Sequence, residues 1–134
     1  MLDVALHSHE GLVHLKDVAE RQEVSKKYLE HLVTRLEADG LLRTVRGAGG
    51  GVALTRPPSE ITILDILHTL EGPLTPVECV DRPEVCSRSA NCSAHDLWTE
   101  LGSVMTGFLG AVTIEDLCER QRGKDRPSAL TYTI

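Results

Sequence analysis

The sequence predicts a mainly α fold with a small β hairpin: a winged helix-turn-helix followed by a long dimerisation helix. Three observations carry that expectation. Between residues 14 and 40 apolar positions recur at helical spacing, interrupted once by a short polar turn. Two strand-like runs separated by GAGGG follow at once. From about His95 to Val112 a broad apolar stripe persists through about five helical turns.

In HLKDVAERQEVSKKYLEHLVTRLEADG, Leu15, Val18 and Ala19 share one face. Val24 follows the polar turn, and Leu29, Leu32, Val33 and Leu36 resume at i, i+3, i+4 and i+7. Ser25 suits an N-cap and Gly40 a helix stop. A helix of about two turns, a tight turn and a longer capped helix form a helix-turn-helix, although periodicity alone fits any helical hairpin equally well. LLRTVR (41–46) and VALTR (52–56) then read as paired strands, and a hairpin at that place is a wing. At its tip Arg46 stands beside residues with almost no side chains, Gly47 and Gly49 among them. Backbone and guanidinium can both approach a phosphate or a minor groove there. The same glycines signal a nucleotide loop only weakly, since no Gly-Lys-Ser/Thr follows and the loop leads into a strand.

Pro57-Pro58 ends the hairpin, and Thr62 to Asp65 reads as a capping box opening a helix to Glu71. Its inward positions are Ile63, Ile66, Leu67 and Leu70, and Gly72-Pro73 terminates it. Residues 73–94 are polar, irregular and cysteine-rich. In the long helix, Leu97, Trp98, Leu101, Val104, Met105, Phe108, Leu109 and Val112 make a stripe wider than a small domain needs. A second copy's matching helix is the expected cover, through Leu97, Leu101, Val104, Met105, Phe108 and Leu109. Thr113 to Asp116 caps a short last helix through Cys118, and the tail from Gln121 is expected to fray. Four units result: a winged helix-turn-helix over 1–72, a cysteine loop over 73–94, a dimerisation helix and short helix over 95–120, and a flexible tail over 121–134.

A chain of 134 residues has room for one domain with one modest core, resting on Leu, Val and Ile because aromatics make up 3%. No apolar run approaches the ~20 residues of a membrane span, and the opening MLDVALHSH lacks the basic and apolar regions of a secretory signal. A cytoplasmic location is expected. Net charge is −6, unevenly spread: residues 14–56 carry +2, residues 57–134 carry −6 and the first thirteen −2. The front half can face phosphates while the back half faces solvent or a partner. No Ser/His/Asp set, paired carboxylates or cofactor-binding helix turn points to catalysis. His7, His9, His14 and His68 are scattered and receive no role.

In a reducing compartment clustered thiols serve as metal ligands or redox groups more often than as disulfides. Cys79, Cys86, Cys92 and His95, spaced Cys-x6-Cys-x5-Cys-x2-His, offer three thiolates and one imidazole. That set suits tetrahedral zinc or an iron–sulfur cluster. Buried free cysteines do not suit so polar a loop. A CCCH RNA-binding finger needs stacking aromatics, and only Trp98 is near. Cys118 sits at a buried helical position and reads as structural.

MLDVAL, LKDVAERQ-x-VS-xx-YLE, GLLRTVRGAGGG, the cysteine loop with His95 and Trp98, and TGFL-x-xVTIEDL occur in order from Met1 to about Glu119. Together they resemble the Rrf2 family of winged-helix transcription regulators, which includes IscR and NsrR. The resemblance implies a homodimer that binds a pseudo-palindromic operator in double-stranded DNA, as a repressor. It places the first turns of the second helix in the major groove, where Ser25, Lys26, Lys27, Tyr28, Glu30 and His31 stand, with Arg46, Gly47 and Gly49 on the wing. It also implies that Cys79, Cys86, Cys92 and His95 bind a cluster sensing iron–sulfur supply, redox state or nitric oxide. The histidine favours [2Fe–2S], with [4Fe–4S] and zinc as alternatives. The sequence departs from the family pattern in three ways. It opens partway through the first helix; Glu23 stands where glycine is usual and is tolerable only outside the left-handed region; and the first cysteine gap is longer, leaving cluster type open. The competing function is a zinc- or cluster-binding interaction protein that no longer binds DNA.

Overall fold

The computed structural model describes residues 1–127. Among these residues, seven α-helices and one two-stranded antiparallel hairpin follow in order: α1 Leu2–His7, α2 Leu15–Gln22, α3 Lys26–Ala38, β1 Leu42–Val45, β2 Gly51–Leu54, α4 Ile63–Glu71, α5 Glu78–Asp81, α6 Ser93–Ala111 and α7 Ile114–Asp125. The expected winged helix-turn-helix is present. Ser25 caps α3 by accepting from the Tyr28 amide, and Gly40, at φ 76°, closes the helix with its amide on the Glu37 carbonyl. β1 and β2 pair Leu42 with Leu54 and Val45 with Gly51.

Buried Val18 of α2, Val33 and Leu36 of α3, Leu42 and Val52 of the hairpin, and Ile66 of α4 share one core with Val4 and Ala5 of α1. The most deeply enclosed side chains, Ile61, Ile114, Val52 and Cys118, lie at its centre. The wing is anchored along β2, where Val13 and Val52 exchange both backbone hydrogen bonds at 2.9 and 2.8 Å. A second tie joins the starts of α4 and α7: Ile63 N–H donates to the Val112 carbonyl and Ile114 N–H to the Ile61 carbonyl, each at 2.9 Å. Thr62 and Thr113 each form a complete capping box with an Asp three residues on.

Three expectations need correction. Glu23 adopts the left-handed region, with φ 54° and ψ 42°, ending α2 with its amide on the Glu20 and Ala19 carbonyls. The long helix begins at Ser93, two residues early, because Cys92 takes the extended cap conformation. The last helix does not stop at Cys118 but continues to Asp125. Charges read as a sign of fraying instead support it: Arg122 donates to Glu115 at 3.3 Å, Gln121 donates to Asp125 at 2.9 Å, and Arg122 and Lys124 stand in the last turn, where the helix dipole favours cations. The remainder of the expected tail, residues 128–134, lies outside the described residues. Within 73–94, expected to be irregular, α5 and 3-10 turns at Pro83–Val85 and Ser89–Asn91 occur.

Candidate functional site

The start of α3 is open to solvent. Ser25, Lys26, Lys27, Tyr28, Glu30 and His31 are all exposed, and Tyr28 keeps 55% of its surface accessible despite its size. Ser25, Lys27, Tyr28, Glu30, His31 and Thr34 line one shallow surface depression. Lys26 lies 3.7 Å from Glu30 across one helical turn. On the wing, Arg46, Gly47 and Gly49 are exposed, and Arg46 shares a cleft with Lys26 and Glu30. Eight of the nine residues expected on the DNA face, all but Gly49, therefore line one or other of two depressions that share Glu30. The turn needs glycine at Gly50: a Cβ there would lie 2.1 Å from the Val45 carbonyl oxygen.

Sequence reasoning missed the network that holds the helix-turn-helix turn from behind. Asp3 of α1 is 8% exposed. It accepts from the Arg21 guanidinium at 2.6 and 3.0 Å and from the Gln22 amide at 2.9 Å, both on the last turn of α2. Burial pushes the Asp3 carboxyl upward, but these hydrogen bonds and the Arg21 charge outweigh it and hold the group below the usual carboxylate range. The partners lie 18 and 19 residues from Asp3 in sequence, and neither end carries a local signal.

The cysteine stretch runs from α5 through the two 3-10 turns into α6. The ring Nδ1 of His95 lies 3.3 Å from Cys79 Sγ, across the α5–α6 contact. Cys86 is exposed and shares a pocket with His95, Pro83 and Ser89. Ser89 Oγ donates to the Cys86 and Pro83 carbonyls at 2.9 Å, which folds the intervening turn. Cys92 is half-buried and caps α6 three residues before His95. The donors match a thiolate–imidazole site in kind, and two are already in contact. Among the described residues, however, no three His, Cys, Asp or Glu side chains gather around one point. Cys118 is apart from this group and fully buried, and burial pushes its thiol up; it belongs to the core, as expected.

On α6, Leu97, Leu101, Val104 and Phe108 expose between 40 and 66% of their surface, at spacings of four, three and four. Met105 and Leu109 are half-buried beside them. No helix among the described residues is long and apolar enough to cross a membrane.

Residues 1–120 match the Rrf2 family, described as iron-dependent transcriptional regulators. The chain is 42% identical over 125 residues to the HTH-type transcriptional regulator IscR of Photorhabdus laumondii, covering 93% of this chain and 76% of that one. Among solved structures it is similar to T. potens IscR, with a TM-score of 0.75 and 32% identity over 92% of this chain and 81% of that one. CymR, the global cysteine regulator of B. subtilis, superposes with a TM-score of 0.74 and 34% identity over 89% and 87%. Likeness of this extent, carried on a winged helix, decides the assignment. The chain belongs to the Rrf2 family of iron-dependent transcriptional regulators, and it is a DNA-binding regulator, not an enzyme.

Proposed function

We propose that the chain is a homodimeric repressor that binds a pseudo-palindromic operator. In this reading Cys79, Cys86, Cys92 and His95 hold an iron–sulfur cluster, [2Fe–2S] in preference to [4Fe–4S], that sets the affinity for DNA. The supporting observation is the Cys79–His95 contact of 3.3 Å, placed where the winged helix passes into the long helix. A bound cluster would supply iron–thiolate bonds and electron-transfer chemistry that respond to iron–sulfur supply, redox state or nitric oxide.

The chain's own residues provide the rest. Lys27 and Glu30 suit hydrogen bonding to base edges in a major groove, and Arg46 suits an adjacent minor groove or its phosphates. Leu97, Leu101, Val104 and Phe108 form a seam for a second copy, which would fix the spacing of two recognition helices. α4 connects the regions. It ends at Glu71, just before the cysteine loop, and near that end the Thr69 carbonyl accepts from Arg35 at 3.2 Å while Thr69 Oγ1 donates to Asp39 at 2.7 Å. Both partners lie at the C-terminal end of α3, so a change of loop order can bias the helix that reads DNA.

Anaerobic purification tests the cofactor. A coloured protein with iron and sulfide in equal amounts is expected. Cys79→Ala, Cys86→Ala or Cys92→Ala should remove the colour, His95→Ala should weaken it or change the spectrum, and Cys118→Ala should retain it. A colourless protein holding one zinc per chain would instead favour the zinc-bearing alternative, and loss of colour in Cys118→Ala alone would overturn this ligand assignment.

A further inference from the structure

A cleft of about 260 Å³ lies between the wing and the starts of α2 and α3. Three cations on three elements line it: Lys16 of α2, Lys26 of α3 and Arg46 of the wing. One carboxylate faces it, Glu30, already 3.7 Å from Lys26. The cleft is therefore cationic in a chain whose net charge is −6. His14 caps α2 without a side-chain hydrogen bond, and while the Asp17 amide donates to the His14 carbonyl, the Leu15 and Lys16 amides at the cleft wall are left for an acceptor from outside. The walls are fixed relative to each other, because the Val13–Val52 backbone pair ties the wing to the residue before this cap.

We propose that this cleft seats one backbone phosphate of duplex DNA and that Lys16 is a positioning residue for it, beside Lys26 and Arg46. The inference rests on the DNA-binding face proposed above. A recognition helix in the major groove and a wing in the next minor groove must straddle the strand that separates them. The cleft lies between those two elements, where that strand passes. Lys16 is exposed and makes no ion pair among the described residues, so its charge is available. A phosphate contact positions without reading sequence. It fixes the angle at which α3 enters and leaves base choice to residues such as Glu30.

The test compares the unaltered protein, Lys16→Gln and Lys16→Arg on a duplex selected for tight binding and on one of random sequence, across a salt series. Lys16→Gln should weaken binding by a similar factor on both duplexes and make the slope of log affinity against log salt shallower by about 1. Lys16→Arg should restore both, while circular dichroism and thermal melting stay unchanged in all three. Glu30→Ala should instead alter the ratio between the two duplexes. An unchanged slope in Lys16→Gln, with normal binding by the unaltered protein, overturns the phosphate seat and leaves the DNA-binding reading intact. Absence of duplex binding by the unaltered protein overturns both. A free-anion pocket is separated by inorganic phosphate: tight saturation that Lys16→Gln abolishes without changing DNA affinity also overturns the proposal.

Discussion

Glu23 is the only non-glycine residue with positive φ among those described. A left-handed residue with a Cβ costs roughly 1–2 kcal/mol, and glycine returns about 0.4–1 kcal/mol of that through the freedom it adds to the unfolded chain. Glu23→Gly should therefore stabilise the fold by about 0.5–1 kcal/mol, read as a raised denaturant midpoint at constant slope. A lowered midpoint would show that the Glu23 side chain makes a compensating interaction. The family pattern marked this position, but not its conformation. The left-handed turn persists because Arg21 and Gln22, the two residues before it, are clamped by Asp3. Asp3→Asn should cost about 1–2 kcal/mol at neutral pH, the low end for a charge-assisted pair because Arg21 is 36% exposed. The folded-state pKa of Asp3 is depressed, so its contribution is full above the ordinary carboxylate range, near pH 4. It is lost as pH falls through the lower folded value. The stability gap between the two proteins should thus close below about pH 4 in acid unfolding curves; a gap independent of pH would remove the charge from the explanation.

At the scale of elements, caps were the most legible feature. Ser25, Thr62 and Thr113 each accept from the amide three residues on, because a hydroxyl at an N-cap needs only local chain geometry. Ends without such a signal were read less well. α7 continues to Asp125 on side-chain pairs between charged and polar residues, and a charged stretch looks alike in a solvated helix and a frayed tail. The stripe on α6 was legible as apolar, but it has two sides. Trp98, Met105 and Leu109 are half-buried, whereas Leu97, Leu101, Val104 and Phe108 stand out at coiled-coil spacing. Only the fold separates these sides. Leu101→Glu combined with Phe108→Glu should leave helix content intact and give monomers in sedimentation, with weaker DNA binding because half-sites are no longer linked. A monomeric unaltered protein at micromolar concentration would contradict the dimer.

At the scale of the molecule, the second helix of the helix-turn-helix and the long helix that follows the cysteine stretch are joined through α4, which touches both α3 and α6. Candidate donors can be named from spacing, since thiols and imidazole are chemically distinctive. Their geometry cannot, because the segment of turns between Cys79 and Cys92 is ordered by contacts such as Ser89 with Pro83 that no periodicity announces. Bringing Cys86 and Cys92 to the Cys79–His95 pair requires that segment to rearrange, and its short turns, exposed over most of their length, offer little packing to resist. In the proposed reading, loading and loss of a cluster would amount to two arrangements of one segment, which is what a switch needs. Duplex affinity, measured by fluorescence anisotropy on an operator selected from random sequence, before and after chelation of the same anaerobically purified protein, tests this most directly. A change of about tenfold or more, within the range of ordinary coupling energies, is expected, and it should vanish in Cys92→Ala. Equal affinity before and after, in a protein shown to have lost its iron, would contradict the account.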